Sequence, residues 1–401
     1  MKAGWQTKTL DEICLIGDGN HSSNYPTKDE LVESGIPFIR STNLIDGKVC
    51  GSDMRFLTPE KHAILKKGHL KSGDILITNR GEIGKTAIVD DDFENSNLNS
   101  QIAWLRCREE IDNKFLYYTL NSVDIQKHFQ TSKSGTALQQ FTIKQLKELS
   151  LSLPHKCEQQ RIVTILDEAF EGIATATANA KKNLANAREL FDSEMQAVFT
   201  ECSATWSMHT LKEMSLVFGR GKSKHRPRND PKLYGGSYPF IQTGNIRNAG
   251  HIVMDYTQTY NELGLAQSKL WSKGTLCITI AANIAETAIL GFDSCFPDSV
   301  IGFVADPTKS DVHFVEYLLT SFKARLQAKG KGSAQDNLNL ATFEGERFPF
   351  PSVIEQKIIT AQLDELSTET KKLEAIYQQK LTALEELKKS ILNQAFSGQL
   401  N

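Results

Sequence analysis

Short apolar runs separated by polar loops dominate the first 150 residues of the chain. The loops are rich in Gly, Asn and Ser, which favours strands joined by turns. The predicted strands cover residues 14–16, 36–39, 74–78, 87–89 and 102–105. A helix is predicted over residues 113–127, because helical spacing puts five side chains on one face: Phe115, Leu116, Thr119, Leu120 and Val123. These patterns predict a mixed α/β domain.

Two later stretches follow another pattern, in which mostly apolar residues recur at alternating steps of four and three. The first comprises Leu166, Phe170, Ile173, Thr177, Ala180, Leu184, Ala187, Phe191, Glu194 and Val198. The second comprises Leu363, Leu366, Thr370, Leu373, Tyr377, Lys380, Leu384, Leu387 and Ile391. Such a repeat over about four heptads is typical of a coiled coil, and two matched helices in one chain most simply pair with each other. A bundle helix or a homo-oligomerisation helix is the alternative.

The chain also contains an internal duplication. Residues of the same type recur in the same order at shifts of 197 to 202 residues: Trp5 and Trp206, Pro37 and Pro239, Glu158 and Glu355, and Asp167 and Asp364. Since order, spacing and residue type recur together, we infer two copies of one module. Module 1 is assigned to residues 1–153 and module 2 to residues 203–350, with helical segments at 154–202 and 351–401.

Composition bounds the function without identifying it. With 40% apolar and 23% charged residues, the chain can bury sizeable cores. A net charge of −2 argues against non-specific coating of nucleic acid but is compatible with one basic face. The 7 cysteines include no C-x-x-C pair, which predicts reduced thiols. A polar N-terminus and the lack of a long apolar run predict a soluble cytoplasmic protein without a membrane partner.

One segment invites a nucleotide-binding interpretation. Residues 81–86 read Gly-Glu-Ile-Gly-Lys-Thr and end like a phosphate-binding loop, but Asn79 stands where that motif requires glycine. Residues 87–89 also resemble a strand and not the helix that should follow. Without another catalytic motif or a metal-ligand spacing, we expect a chain that is not itself an enzyme and binds neither metal nor cofactor.

Polar and basic residues collect in loops at matching places of the two modules. Arg, Asn and Gln side chains can pair with guanine or adenine edges, and Lys contacts phosphate. The candidate DNA-binding residues of module 1 are Arg40, Thr42, Asn43, Asn79, Arg80, Lys85, Lys133, Ser134 and Gln139. Those of module 2 are Lys222, Lys224, His225, Arg226, Arg228, Gln242, Thr243, Asn245, Asn283, Lys329, Lys331, Ser333 and Gln335. A solvated charged loop is the alternative for each.

Several segments that occur once in each module form a characteristic set. Each copy has a Pro…Glu-Gln…Leu-Asp start to its long helix, at residues 154–167 and 351–364, and the strands at 73–78 and 274–279 match. Further matches are the loops at 134–137 and 332–335 and the ending at 395–400. The chain thereby resembles the specificity subunits (HsdS) of type I restriction-modification systems. One departure is the basic residue after Glu-Gln, which comes one place earlier as Lys357 than as Arg161.

The resemblance implies an α+β fold of two similar mixed α/β target recognition domains in a pseudo-twofold arrangement. Each would read one half of a bipartite site in double-stranded DNA. Two long helices, forming an antiparallel coiled coil, would set the spacing and dock two methyltransferase (modification) subunits, which restriction (translocase) subunits would join. S-adenosylmethionine and ATP would bind to those partners. The expected subunit-docking residues are Glu158, Gln159, Arg161, Asp167, Glu355, Gln356, Lys357 and Asp364. A coiled-coil scaffold or interaction protein that does not bind DNA is the alternative.

Overall fold

The structure is a computed structural model that describes residues 4–21, 24–132, 139–201, 205–281, 284–331 and 340–397. It divides into two compact units. Unit 1 comprises Met1–Ala180 with Gln379–Asn401, and unit 2 comprises Lys181–Gln378. Each unit therefore contains one module together with parts of both long helices. No helix in the described ranges is long and apolar enough to cross a membrane.

Module 1 is built from short strands and short helices. Its strands are β1 (Gln6–Thr9), β2 (Cys14–Asp18), β3 (Ile36–Ile39), β4 (Leu44–Ile45), β5 (Gly47–Val49), β6 (Arg55–Leu57), β7 (Ile75–Thr78), β8 (Thr86–Ile88), β9 (Asn97–Leu98), β10 (Ile102–Cys107) and β11 (Ser150–Leu153). Its helices are α1 (Leu10–Ile13), α2 (Pro59–Ile64), α3 (Asn113–Leu120), α4 (Val123–Thr131) and α5 (Ile143–Glu148). Each of the five predicted strands has a counterpart.

The large sheet of module 1 has the strand order β2-β10-β7-β8-β5-β4, beside a sheet β6-β3-β9 and the pair β1-β11. Strand β7 lies inside the large sheet, and all of its residues are buried. Ile75 and Ile77 pack into the core on one face, whereas Leu76 packs into a second core on the other. A continuous apolar run is what a strand covered on both faces requires.

Module 2 repeats these elements. After the long helix α6 (Lys156–Glu201) come the strands β12 (Ser207–Thr210), β13 (Ser215–Arg220), β14 (Tyr234–Phe240), β15 (Ile252–Val253), β16 (Gln258–Tyr260), β17 (Leu270–Trp271), β18 (Leu276–Thr279), β19 (Thr287–Leu290), β20 (Ser294–Cys295), β21 (Val300–Ala305) and β22 (Arg347–Phe350). The helices are α7 (Thr243–Asn248), α8 (Glu262–Ala266), α9 (Val312–Ser321), α10 (Lys323–Lys331), α11 (Leu340–Gly345) and the long α12 (Val353–Ser397).

The topology confirms the duplication and the predicted α+β fold with two similar mixed α/β domains. The main sheet of module 2 has the order β13-β21-β18-β19-β15, which repeats β2-β10-β7-β8-β5. The matched tryptophans also have matched neighbours. Trp5 lies 6.2 Å from Phe115 between ring centroids, and Trp206 lies 6.0 Å from Phe314. The two modules therefore share a scaffold down to individual core contacts.

The long helices contribute to the core of each unit. In unit 1, Leu166 near the start of α6 shares the module 1 core with Leu392 near the end of α12. In unit 2 the positions are reversed, because Phe199 near the end of α6 shares the module 2 core with Leu363 near the start of α12. Within each unit, the early part of one helix thus meets the late part of the other, as antiparallel helices do.

The apolar repeat predicted for α6 is correct as far as Ala187. Beyond that residue, other positions of the helix are buried. Glu194 is exposed, whereas Met195 and Phe199 are buried in the module 2 core. Met195 and Phe199 are four residues apart because this part of the helix packs against a globular core. Such a helix keeps the natural α-helical period of about 3.6 residues. On α12 the predicted seam residues Leu373, Lys380 and Leu387 are exposed.

The single helix predicted over residues 113–127 is wrong, since α3 and α4 are separate helices. Helix α3 ends at Asn121, whose Nδ2 donates to Thr86 Oγ1 at 2.7 Å and to the Tyr117 carbonyl at 2.8 Å. Short polar side chains that bond to nearby backbone groups favour helix ends. Val123, predicted on the buried face, is 47% exposed because the second helix has its own direction.

Candidate nucleic-acid interface

The loops of module 1 that carry the candidate DNA-binding residues meet at one end of the strands of the large sheet. Strand β10 is antiparallel to β2 and to β7, and β7 is antiparallel to β8. The ends of β2 and β7 therefore lie beside the beginnings of β10 and β8. Strand β3 runs parallel to β9, so its end points toward the loop before β10. We call the loops 19–21, 40–43, 79–85 and 99–101 loop edge 1.

Backbone hydrogen bonds join these loops. The Asn79 N–H donates to the Gln101 carbonyl, and the Asn99 N–H donates to the Ile39 carbonyl, both at 2.9 Å. The Gly81 N–H donates to the carbonyl of Gln139 at 3.1 Å. The loops predicted separately from the sequence thus form one continuous surface. Asn99 and Gln101, which sequence reasoning missed, connect these loops. The available signal was the polar segment 99–101 directly before the predicted strand at 102–105.

Arg40 and Asn43 have local partners. Arg40 Nη2 donates to both the carboxylate of Asp53, at 3.0 Å from Oδ2, and the Asp53 carbonyl. Asn43 is buried, since its Oδ1 accepts from the Arg40 N–H at 3.0 Å and its Nδ2 donates to the carbonyls of Cys50 and Ser52. Asn43 therefore shapes the loop, and any effect it has on DNA binding would be indirect.

Asn79 and Arg80 each keep an unused polar atom, as Arg40 does at its buried Nε among the described residues. Asn79 Oδ1 and Arg80 Nε are buried and have no hydrogen-bond partner among the described residues. Buried polar atoms are nearly always satisfied, so these two atoms are candidates for a ligand contact. Thr42 and Gln139 are exposed at the same edge. Lys85 Nζ lies 3.1 Å from Glu82 Oε2, in an exposed ion pair.

Module 2 has the equivalent arrangement. Strand β21 is antiparallel to β13 and β18, and β18 is antiparallel to β19. The loops that meet are 221–228, 241–245, 280–281 and 296–299, which we call loop edge 2. A cavity of about 270 Å³ is lined by residues of three of them, including Ser223, Arg228, Gln242, Thr243 and Ser299. The fold thus brings residues 222–228, which we call the basic loop, next to the loop that carries Gln242.

The basic loop combines paired and unpaired cations. Arg228 Nη2 lies 2.7 and 2.9 Å from the two carboxylate oxygens of Asp298, and His225 Nε2 lies 2.9 Å from Asp230 Oδ2. Arg226 donates to backbone carbonyls, at 2.6 Å to that of Ser223. Among residues 222–228, all of which the structure describes, three cations have no carboxylate partner: Lys222, Lys224 and Arg226. These cations are available to phosphate.

The loop after β14 repeats the cap of module 1. Asn245 Oδ1 accepts from the Gln242 N–H at 2.9 Å, as Asn43 accepts from the Arg40 N–H. The side chain of Gln242 is exposed and donates to Gln258 Oε1 at 2.6 Å. A shared backbone shape therefore presents Arg40 in one module and Gln242 in the other, and these two side chains prefer different bases.

Lys269 is a further cation at loop edge 2 that sequence reasoning missed. Its Nζ lies 3.5 Å from the centre of a ring of Trp271, in a cation–π contact. Burial, with a smaller effect of Lys222, lowers the pKa of Lys269 below its usual value. The nearby Ser268 Oγ donates to the Lys222 carbonyl at 2.9 Å. Only the tertiary fold brings this lysine to the basic loop.

Some candidate residues lie outside the described part of the chain. These are Lys133, Ser134, Asn283, Ser333 and Gln335. Lys329 and Lys331 belong to α10, but their side chains are also outside the description. Their proposed contacts stay predictions.

The Glu-Gln pair at the start of each long helix has a structural role. Gln159 Oε1 accepts from the Asp112 N–H at 2.9 Å, and its Nε2 donates to the carbonyls of Glu110 and Pro154. Gln356 repeats this with Asp311, Lys309 and Pro351. Gln159 is 2% exposed and Gln356 0%, so neither side chain can touch another subunit directly. Each amide instead holds the N-cap of a module helix, α3 or α9.

The Leu-Asp pairs form a second matched contact. The Tyr118 hydroxyl donates to Asp167 Oδ1 at 2.5 Å, and the Tyr317 hydroxyl donates to Asp364 Oδ1 at 2.6 Å. Burial, together with the adjacent carboxylate, raises the pKa of both tyrosines. Asp167 also lies 2.6 Å from Lys114 Nζ. These aspartates tie the helix to its own module.

The remaining docking candidates are at the surface. Arg161 Nε donates to Glu158 Oε2 at 2.8 Å, and this pair raises the pKa of Arg161. Trp206 Nε1 donates to Glu355 Oε1 at 3.3 Å, and Lys357 is exposed. These four side chains remain accessible to a partner.

The phosphate-loop interpretation has no structural support. Thr86 begins strand β8, so no helix N-terminus follows the glycines, and its hydroxyl accepts from Asn121. In the described residues, no group of three or more His, Cys, Asp or Glu side chains could hold a metal ion.

A half-buried ion pair distinguishes module 2 from module 1. His251 Nδ1 lies 3.0 Å from Oε2 of Glu316, which is buried in α9. The registers of β15 and β5 show that Gly47 in module 1 corresponds to His251 in module 2. A side chain at position 47 would clash, because its Cβ would lie 2.1 Å from the Tyr117 hydroxyl. The hydrogen bond to Glu316 raises the pKa of His251, although burial and Lys371 act against it and Asp364 adds to it.

We expect unit 2 to lose stability as the pH rises from about 6.5, the ordinary pKa of histidine, through the raised pKa of His251. A histidine whose pKa is raised by folding contributes stability that is complete below its ordinary pKa of about 6.5 and lost as the pH passes the folded value. Thermal unfolding of the chain, followed region by region with hydrogen exchange, should show this decline in residues 205–321. A His251→Gln variant should flatten it, and an unchanged pH slope in that variant would contradict the assignment.

Two modules that share a scaffold and differ at their loop edges define a class of protein with duplicated recognition domains on long helices. A family model described as the type I restriction modification DNA specificity domain matches this chain twice, at residues 2–186 and 204–383. The chain belongs to that family. Its resemblance to specificity subunits is thereby confirmed.

Relatives match either nearly the whole chain or part of it. The MjaX type I restriction enzyme specificity subunit of Methanocaldococcus jannaschii is 24% identical over 417 residues, which covers 99% of this chain and 93% of the relative. The EcoBI specificity subunit of Escherichia coli is 28% identical over 179 residues, 44% of this chain and 37% of the relative.

Solved structures show the same fold. The HsdS subunit from Thermoanaerobacter tengcongensis has a TM-score of 0.68 at 18% identity and covers 100% of this chain and 98% of that one. A chain from work on complex assembly and conformational transition of the type I R-M system has a TM-score of 0.78 at 18% identity, over 100% of this chain and 99% of that one.

Proposed function

We propose that this chain is the non-catalytic DNA specificity subunit of a type I restriction-modification complex, in which loop edge 1 reads one half of a bipartite DNA site and loop edge 2 reads the other. The main support is a hydrogen bond that occurs at matching places in both modules. The N–H of Arg40 donates to Asn43 Oδ1, and the N–H of Gln242 donates to Asn245 Oδ1. In both modules the capping residue has an extended backbone and its N–H donates to the Asn three residues later, but the side chain at the capping position differs. A scaffold reused with different base-reading side chains suits two unlike half-sites.

Contacts within each loop edge divide into two kinds. Arg40, Asn79 and Arg80 in module 1, and Gln242 and Thr243 in module 2, are the candidates for base edges. The unpaired cations of the basic loop and Lys269 would contact phosphate, which positions the protein without reading sequence. The long helices would set the distance between the half-sites.

The catalytic chemistry belongs to partners in this proposal. Two methyltransferase subunits would bring S-adenosylmethionine, and restriction subunits would bring ATP-dependent cleavage. The exposed pair Glu158–Arg161 and the exposed Glu355 and Lys357 are the docking candidates. Gln159, Gln356, Asp167 and Asp364 would act by holding the helices in place.

Exchange of one loop edge should change one half-site. We expect a chain whose residues 220–228 and 242–247 are replaced by those of another family member to direct adenine methylation to sites with one new half and one original half. Mapping modified adenines across a genome that carries the variant measures this. The matched control replaces 40–43 and 79–85 and should change the other half alone.

Unchanged sites in both variants would contradict the assignment of the reading loops. A chain that forms a complex with the methyltransferase subunits but gives that complex no salt-dependent retention on DNA would favour the scaffold alternative.

A further inference from the structure

Two cysteines face each other across neighbouring strands of module 1. Cys14 begins β2 and Cys107 ends β10, and the register of the two antiparallel strands pairs them directly. The adjoining pair is hydrogen-bonded, because the Arg108 N–H donates to the Ile13 carbonyl at 2.9 Å. Antiparallel ladders alternate, so Cys14 and Cys107 occupy a position without backbone hydrogen bonds, where the Cα atoms are only about 4.5 Å apart.

This position suits a disulfide. The two sulfurs lie 4.0 Å apart, with the Cys14 thiol directed at the sulfur of Cys107, and both cysteines are reduced. A Cα separation of about 4.5 Å is within the range of disulfides, about 4.4–6.8 Å. Directly opposed residues point to the same face of a sheet, so rotation of the two side chains can bring the sulfurs into bonding distance.

The surroundings give the two thiols different roles. Cys14 is buried in the module 1 core, whereas Cys107 is half-buried at the end of its strand beside the exposed Arg108. The hydrogen bond to Cys107, followed by burial, raises the pKa of Cys14 and keeps it protonated. An oxidant from solvent therefore meets Cys107 first, and Cys14, whose sulfur lies 4.0 Å behind it, is close enough to resolve the product.

Module 2 lacks this pair. At the matching register of β13 and β21, Ser215 faces Ala305. The duplicated scaffold therefore provides an internal comparison, since the same strand pair occurs in unit 2 without sulfur.

We propose that Cys14 and Cys107 are a redox modification site that closes to an intramolecular disulfide on exposure to a peroxide. The Cys107 thiolate attacks one oxygen of hydrogen peroxide, the O–O bond breaks, and Cys107 sulfenic acid and hydroxide form. The Cys14 sulfur then attacks the Cys107 sulfur, the S–O bond breaks, and water leaves with the Cys14 proton. In total, two thiols and one peroxide become one disulfide and two waters.

The crosslink would stabilise module 1 without changing what it reads. Cys14 and Cys107 lie at the end of β2 and β10 that is opposite loop edge 1, which follows Asp18 and precedes Ile102. A bond there constrains the unfolded chain between distant residues and joins two strands of the central sheet. The loops that carry Asn79, Arg80 and Gln101 stay as they are.

The test uses the full natural chain. After treatment with hydrogen peroxide, free thiols are blocked with N-ethylmaleimide and the digest is mapped by mass spectrometry. We expect one linked peptide joining the Cys14 and Cys107 segments, lighter by two hydrogen atoms, which a reductant separates again. Hydrogen exchange in β2 and β10 should slow by about tenfold or more, while β13 and β21 exchange as before.

Two variants distinguish this site from other thiols. Cys157, exposed on α6, is the control, and Cys157→Ser should leave the linked peptide unchanged. Cys107→Ser should abolish it. Full alkylation of both Cys14 and Cys107 after peroxide, or oxidation of Cys107 beyond the sulfenic acid while Cys14 remains free, would overturn the proposal. These results do not depend on DNA binding, so failure here and failure of the proposed function are separable.

Discussion

Replacing Gln356 by alanine is expected to destabilise unit 2 by about 2–4 kcal/mol. The change leaves the Asp311 N–H and the carbonyls of Lys309 and Pro351 without their buried partner. It also loosens the N-cap of α9, because Asp311 Oδ1 accepts from the Phe314 N–H. Urea unfolding with hydrogen exchange read separately in the two units measures the effect, which should be confined to unit 2.

The duplication supplies the control for this prediction. Gln159→Ala should produce the same loss in unit 1, because its amide makes the corresponding three contacts with Asp112, Glu110 and Pro154. Gln160 and Gln362 are exposed neighbours on the same helices, and their alanine variants should be close to neutral. Equal effects of Gln356→Ala and Gln362→Ala would refute the structural role of the motif.

Neutralising the unpaired cations of loop edge 2 should weaken DNA binding about 100-fold at moderate salt and flatten its salt dependence. Each phosphate contact contributes about 0.9 to the slope of log affinity against log salt, so replacing Lys222, Lys224 and Arg226 by glutamine should reduce that slope by up to about three. The measurement is a salt titration with the chain assembled with its methyltransferase subunits. The methylated sequence should stay the same.

A charge-matched variant tests whether position or net charge is responsible. Lys212, Lys273 and Lys309 precede β13, precede β18 and follow β21, so they lie at the opposite edge of the same sheet. Their triple replacement by glutamine removes the same charge and should leave the salt slope nearly unchanged. Equal slopes for the two triple variants would show that the basic loop makes no privileged phosphate contact.

Local patterns were sufficient to predict much of the fold. Apolar runs such as residues 36–39 and 74–78 became β3 and β7 because burial on one or both faces requires that pattern of side chains. The long helices were predictable for the same reason. The prediction over 113–127 was wrong, since the polar pair Asn121 and Ser122 ends one helix and begins the next through contacts that apolar periodicity does not contain.

The candidate interface was predictable only in part. Residue type indicated Arg40, Asn79 and Gln242, because the ability to pair with a base edge is a property of the side chain. It also indicated Asn43, whose amide is used up inside the loop. Lys269 gave no signal, because its neighbour Lys222 is 47 residues away in the chain. Contacts at such separations arise from strand pairing.

The sequence by itself determined that this protein is a duplicated α/β module on two long helices, because repeat spacing and apolar period are properties of the chain alone. It also carried the motif of the family. The tertiary structure alone decided which loops share an edge and which polar side chains remain free to bind. Antiparallel pairing brings the ends and beginnings of distant strands together. Gln159 and Gln356, predicted to dock partner subunits, are buried and instead hold the N-caps of α3 and α9.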